Sequence, residues 1–503
     1  MIDDIRGRRR GRSKPCQCEG ADENPYHDLS QHPRSVADAD TGSRKFGSCC
    51  PLLQAIQSRE TFIVRKLRDR ISRRLGLLNS DGTRNAERQE VLESLLSGVV
   101  LQLLLLVTGI AAARALGDEG RGQQALIYIV ALAASQIVLL GLPLSLTYEA
   151  ARGHHRAQRL LNHLAPVAFA QTVLVFVVFC VLMFLVFSDR VPVSAALVTL
   201  PALPSIIWQA YGLATIQGHH QFRALHFFRL TPPALYTVGL VVTLLVFQQS
   251  VTAVMAAWSI SYVVGAAGTQ IFIQVDARRN PHKEPEGGPS RLPDRTKMFR
   301  FGAIAFLGAS SPLEVFRVDQ LAVGLVLTTV DLALYTTALS FCNFPRFLTL
   351  ALGLNAYARI SAIKTVEQQN RLIIRYFLVG ITSAALVSAP LALFAAPLIN
   401  LTFGPEFSDA TTITQLLLGA TVLLCGRRIL SDCLRGAGLP GAGSVAEITS
   451  LVALVPAALI FVPPYGLTGF GLAMITSYMA GLIAICVYSA RGWNRELSSD
   501  RPS

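Results

Sequence analysis

From Leu230 to Val275 the chain runs for 46 residues without an Asp, Glu, Lys or Arg. As one α-helix this run would extend about 69 Å, roughly twice the hydrocarbon thickness of a bilayer. It therefore predicts two membrane-spanning helices, with Gln248-Gln249-Ser250 as the turn between them.

Other runs repeat the signal. Ser94–Ala113, Gln123–Tyr148, Leu160–Ser188 and Val191–Gln217 predict spans one to four. Phe301–Val330, Leu332–Ala358, Tyr376–Pro405 and Ala410–Gly426 predict spans seven to ten. Ile448–Ala490 is again long enough for two, turning at Pro463-Pro464-Tyr465-Gly466. The expectation is an all-α, polytopic membrane protein with twelve spans. Charge agrees: only 15% of the 503 residues are charged, whereas soluble domains carry about 25%. That excludes an ordinary multidomain soluble enzyme.

The tail before the spans is different. Residues 1–90 hold 18 Lys/Arg and 13 Asp/Glu and read as a mostly disordered, basic, cytoplasmic tail. Ile63, Leu67, Ile71, Leu75 and Leu78 recur at helical spacing among arginines. That fits either a basic amphipathic helix on anionic lipid or a solvated linker. Cys16, Cys18, Cys49 and Cys50, with His27 and His32, do not match zinc spacing, so no metal and no cofactor is expected.

The net charge of +13 has a topological explanation. With the tail in the cytoplasm, alternate loops and the C-terminus carry 21 Lys/Arg, and the external loops only three: Arg114, Arg121 and Arg190. This is the positive-inside pattern, and it places both termini in the cytoplasm. No nucleic-acid partner need be invoked. His154, His155, His219, His220 and His226 lie in two of the cytoplasmic loops and read as surface histidines.

The polar segment 276–300 divides the membrane region into bundles of six spans, 91–275 and 301–490, with a cytoplasmic tail at 491–503. Leu140-Gly141-Leu142-Pro143 in the first bundle echoes Leu352-Gly353-Leu354-Asn355 in the second, 212 residues later. An even number of spans per half gives a parallel repeat.

Absent motifs narrow the function. There is no G-x-x-x-x-G-K-[ST], G-x-S-x-G or H-E-x-x-H, and the one D-x-D, Asp38-Ala39-Asp40, lies in the tail. Every external loop is short. A membrane-bound enzyme of glycan assembly would need a catalytic loop or domain, and a non-enzyme is expected.

Charges within spans stand out, because each is expensive in lipid and such residues usually carry function. The seventh span contains Glu314, Arg317 and Asp319 near its middle, and the eighth contains Arg346 beside Pro345. On a regular helix Glu314 and Arg317 pair at i,i+3, and Asp319 faces elsewhere, towards Arg346. Two arginines at one depth suit a phosphate. Arg317 and Arg346 are therefore the candidate substrate-binding residues, and Glu314 and Asp319 the candidates for coupling or charge pairing. The competing reading is a structural Arg–carboxylate network.

Ala115-Leu116-Gly117-Asp118-Glu119-Gly120-Arg121-Gly122, followed by an apolar helix with Leu-Gly-Leu-Pro143, resembles the first helical hairpin of bacterial polysaccharide-biosynthesis membrane proteins. These are oligosaccharide flippases of the multidrug/oligosaccharidyl-lipid/polysaccharide exporter superfamily. Phe316-Arg317-Val318-Asp319 through Gly324, the segment Asp331–Ala338, Phe403-Gly404-Pro405-Glu406-Phe407 and the run from Gly466 to Ala473 are similar to later parts of the same proteins. The resemblance covers about residues 91–490.

It implies two six-helix bundles around a central cavity, moving an undecaprenyl-pyrophosphate-linked oligosaccharide across the cytoplasmic membrane by alternating access. It implies that Arg317 engages pyrophosphate. It also implies glycan polymerase and glycosyltransferases as partners, besides the phospholipid membrane. A multidrug/cation antiporter of the same superfamily is the alternative.

Overall fold

The computed structural model describes residues 82–152, 157–246, 250–279, 292–309, 316–363, 365–439 and 441–499. The readings made for the tail, for His154 and His155, for most of the 276–300 linker and for Glu314 lie outside these residues. The described chain belongs to one compact unit, Asp81–Ser503. No strand occurs among the described residues.

The helices are α1 (Gly82–Leu139), α2 (Leu142–Ala151), α3 (Ala157–Val181), α4 (Val193–Thr199), α5 (Ala202–Gly218), α6 (Phe222–Val246) and α7 (Val251–Arg279). They continue as α8 (Arg295–Ala309), α9 (Val318–Val326), α10 (Thr329–Ser361), α11 (Val366–Leu393), α12 (Ala395–Thr402), α13 (Ala410–Gly436) and α14 (Gly441–Ser499). A π-helical turn, Leu182–Val186, extends α3.

Seven stretches among the described residues are long and apolar enough to cross a membrane. Two exceed one crossing: Leu96–Leu139 has 44 residues and Gly441–Ala490 has 50. Both reverse at a glycine. In α1 the break is Gly117, at φ 67°. Ser97 on one arm bonds His226 of α6 at 2.9 Å, and Gln124 on the other bonds Tyr236 of the same helix at 3.1 Å. Ten residues of α6 span about 15 Å and 27 residues of straight helix about 40 Å, so the two arms of α1 must fold back on each other.

In α14 the break is Gly466, at φ 54°. There Ser477 Oγ donates to Ser450 O at 2.7 Å, and Gly481 packs against Ala446. Those pairs keep antiparallel register about the Pro463–Gly466 turn. The positive φ at each break is conformational territory that glycine enters without a Cβ clash.

Several predicted spans are reshaped. The second is not continuous over Gln123–Tyr148: Leu140 and Gly141 have φ 43° and 72°, and α2 starts anew at Leu142. The fourth divides at Leu200 and Pro201. The ninth begins earlier than Tyr376, at Val366, and ends at Leu393, leaving α12 as a separate helix. The tenth runs on to Gly436, so Arg427, Arg428 and Arg435 are helical rather than in a loop. Arg223, His226 and Arg229 are likewise in α6. Asp331 caps α10: Thr328 Oγ1 accepts from its N–H at 3.1 Å, and its carboxylate accepts from the Thr328 N–H at 3.1 Å.

Two sets of helices pack mainly among themselves. Before residue 280, α5, α6 and α7 pack together with α1, α3 and α4 around them. After residue 295, α13 is central, contacted by α10, α11 and α14. The outer surfaces are apolar. Leu185, Leu386 and Leu393 are each 76% exposed, an arrangement suited to lipid and costly in water.

The sets meet at two opposite faces. At one, a Cβ on Gly122 would overlap the carbonyl of Thr329, so the motif glycine lets the second arm of α1 lie on the start of α10. At the other, Gly141 and Gly302 touch backbone to backbone, and Tyr148 stacks on Phe301 with centroids 4.7 Å apart.

Candidate functional site

α8 spans Arg295–Ala309, and Arg317 is the N-cap of α9, with a left-handed backbone of φ 49° and ψ 44°. A non-glycine residue held there is strained by roughly 1–2 kcal/mol. The regular-helix geometry expected between Arg317 and Asp319 therefore does not apply. The break redirects Arg317 out of the helical series. Its guanidinium lies 5.5 Å from the ring centroid of Tyr128, on the second arm of α1, and its Nη1 donates to Gln320 Oε1 at 3.2 Å. A residue of the later helices is thus seated on a ring of the earlier ones.

Tyr128 is itself fixed. Trp258 of α7 packs edge-on against it at 5.3 Å, and Tyr262 follows Trp258 at 4.9 Å. Trp258 is 2% exposed, so this aromatic wall has a rigid back.

Asp319, in the first turn of α9, is buried at 7% exposure. Its carboxylate accepts from the Tyr335 hydroxyl of α10 at 2.8 Å. Arg346, its expected partner, and Arg317 both lie within electrostatic reach of it. The partner the sequence did not suggest is Tyr335, which is fully buried and packs edge-on against Phe470 at 5.5 Å. The site thus brings together Arg317, Asp319 and Arg346, and adds Tyr128 and Tyr335. Glu314 is not among the described residues.

Arg121 departs furthest from its expected place. Counted as an external-loop charge, it is instead helical and turned inward. It donates to Gln124 Oε1, whose amide in turn donates to Tyr236. Its guanidinium approaches the bare Cα of Gly109, close to where Ser340 of α10 also reaches. The earlier helices therefore carry a half-buried cation too, besides the in-span charges that the sequence shows in the seventh and eighth spans. Its visible signal is the glycine on either side, in Gly120-Arg121-Gly122.

Arg427, one of the 21 charges assigned to cytoplasmic loops and the C-terminus, is a second cation turned inward. Only 3% of its side chain is exposed; it bonds Glu447 at 2.5 Å and Ser450 at 3.3 Å and lies over the Tyr478 ring. This ion pair is internal to the later helices. Among the described residues, no cluster of three or more His, Cys, Asp or Glu side chains is placed to bind a metal ion.

The chain matches the family model described as polysaccharide biosynthesis protein over residues 88–351, just over half its length. Among solved structures it is similar to the lipid II flippase MurJ in an inward closed conformation. The TM-score is 0.61 at 13% identity, covering 80% of this chain and 87% of that one. It is equally similar to an inward-facing multidrug resistance MATE family transporter of the MOP superfamily, with TM-score 0.61, 18% identity, and coverage of 80% and 96%. A MATE transporter in the bent conformation gives TM-score 0.55 at 16% identity, with coverage of 84% and 98%. Comparison with curated proteins gives no match. At these identities the structural likeness establishes the fold.

Proposed function

The chain belongs to the polysaccharide biosynthesis protein family, and from that premise we propose that it flips a lipid-linked oligosaccharide across the cytoplasmic membrane by alternating access. The cargo is an undecaprenyl-pyrophosphate-linked glycan. The moving parts are bundles 91–275 and 301–490, with both termini in the cytoplasm. Glycan polymerase and glycosyltransferases are its partners, and the chain itself performs no bond chemistry.

One observation carries the reading. Arg317, strained at a helix break, faces the other set of helices across Tyr128, with Arg346 and Asp319 in electrostatic reach. A guanidinium fork in a low-dielectric interior suits a diphosphate. In this reading Arg317 and Arg346 hold the anion. Asp319, and Glu314 outside the described residues, serve coupling or charge pairing. The contacts at two opposite faces, Gly122 on Thr329 and Gly141 on Gly302, supply the two gates that alternating access requires. Arg152 and Arg295 mark the Gly141 face as cytoplasmic, by the positive-inside rule.

Depletion in the native host, followed by analysis of lipid-linked sugars, tests this. The expected result is build-up of completed oligosaccharide-lipid on the cytoplasmic leaflet. At equal expression Arg317→Ala reproduces the build-up and Arg317→Lys does so partly. A second reading, a multidrug/cation antiporter, is favoured by buried Asp319 with its Tyr335 bond. It predicts no glycan build-up and a rise in dye sensitivity.

A further inference from the structure

We propose that Arg190 is a positioning residue for Arg317 and Asp319, acting through α9; the proposal rests on the transport reading above. Arg190 lies in the turn between α3 and α4. Its N–H donates to Phe187 O at 3.0 Å, and Phe187 and Val191 on either side are buried. The turn is therefore anchored. From it the guanidinium Nη1 crosses to the later helices and donates to Gly324 O at 2.7 Å and Leu327 O at 2.8 Å.

Gly324 lies in the last turn of α9 and Leu327 is its C-cap, where a helix leaves its acceptors without intrahelical partners and its dipole is negative. α9 has nine residues, a rod of about 13 Å. Arg317 caps its other end, and Asp319 lies in its first turn. A single short rod thus has the Arg190 clamp at one end and the charged pair at the other. Leu327 is extended backbone leading directly into α10, whose Tyr335 bonds Asp319. The clamp consequently fixes the elbow between the two helices that present the site.

The orientation rule sharpens the case. Arg190 is one of three basic residues that the charge pattern assigns to the outer face. Arg114, another of them, does the same at α12, donating to Leu401 O and, at 2.7 Å, to Thr402 O. Cations kept against the orientation pattern are used here to tie the earlier helices to helix ends in the later set. Release of Arg190 frees α9 to shift, which opens the outer face and moves Arg317 and Asp319 out of register together.

The test uses full-length protein in membranes carrying Val323→Cys, a fully buried position on α9. Labelling of the introduced thiol by a membrane-impermeant maleimide is read against the parent protein's own cysteines, alongside the lipid-linked sugar assay. Arg190→Ala is expected to raise labelling at that position roughly tenfold and to impair transport, as loss of two charge-assisted bonds implies. Arg190→Lys, which keeps the charge but not the fork, falls between. If Arg190→Ala accumulates normally and the introduced thiol stays protected, the proposal is wrong, whether or not transport falls. If the Ala variant does not accumulate, the Lys variant decides by the same two readouts. Increased labelling with no glycan effect from any variant, Arg317→Ala included, would sink the cargo reading and leave the clamp standing.

Discussion

Gly141 and Gly302 meet so closely that a Cβ on Gly302 would stand 2.7 Å from the Gly141 carbonyl oxygen. The two backbones can touch because neither residue carries a side chain. The contact joins the start of α2 to α8, and Tyr148 stacks on Phe301 beside it. Gly302→Val should hold this face apart, since overpacking a tight contact costs about 1–3 kcal/mol. Gly302 is helical, so the substitution adds bulk without forcing a forbidden φ. A Tyr148→Cys/Phe301→Cys pair reads the result. Mild oxidation should cross-link it efficiently in the parent and several-fold less with Gly302→Val. Equal cross-linking would show that the glycine contact does not set the spacing.

Arg427 and Glu447 form an ion pair in which the arginine side chain is 3% and the glutamate 18% exposed. Removing one partner strands a charge. Glu447→Gln or Arg427→Met should therefore lower stability by about 3–5 kcal/mol, whereas Arg427→Met with Glu447→Leu should recover most of that loss. Thermal unfolding of the detergent-solubilised protein measures it. A double variant as weak as the singles would mean that Ser450 and Tyr478, not the pairing, make Arg427 necessary.

Uncharged runs located the membrane helices because lipid leaves a backbone few alternatives to a helix. The run Leu230–Val275 is split between α6, which ends at Val246, and α7, which begins at Val251, and the Pro463–Gly466 turn falls where α14 reverses. Breaks inside apolar runs were legible only through their prolines: Pro143 and Pro201 lie at the interruptions of the second and fourth spans. Leu140–Gly141 interrupts the second span with no polar residue to mark it, and Gly141 proves to serve a contact with Gly302, far away in sequence. Its echo, Gly353, stays helical and instead receives the Asp432 carboxylate. Two similar motifs thus do different work.

In the site, the in-span charges were visible as violations of the lipid rule. Tyr335 and Tyr128 were not, because a tyrosine in an apolar helix carries no signal until its neighbour is known. Arg121 and Arg427 were misassigned for one reason: both lie next to span ends drawn by charge, and a buried arginine resembles a loop arginine in sequence.

The twelve-span count has its own test. An even number of crossings returns the C-terminus to the side of the tail. A phosphatase fused after Ser503 should be inactive, and a fluorescent protein fused there should fold. An active phosphatase would break the even count, or, with an external tail as well, reverse the sidedness assigned to Arg190.

Arg317 over Tyr128 makes the last prediction quantitative. The ring holds the guanidinium by its negative face, an interaction of about 0.5–2 kcal/mol depending on desolvation. Phenylalanine keeps that face and loses only the hydroxyl, so Tyr128→Phe should transport nearly as well as the parent. Tyr128→Ala removes the seat and should lower transport up to roughly thirtyfold at the upper end of that range. The diagnostic is a double-mutant cycle. In an Arg317→Ala background, replacing Tyr128 by Ala should cost little further, because the cation it seats is gone. If Tyr128→Ala is equally damaging with and without Arg317, the ring acts by packing against Trp258 instead. Transport rates of the four proteins, normalised to their amount in the membrane, separate the two.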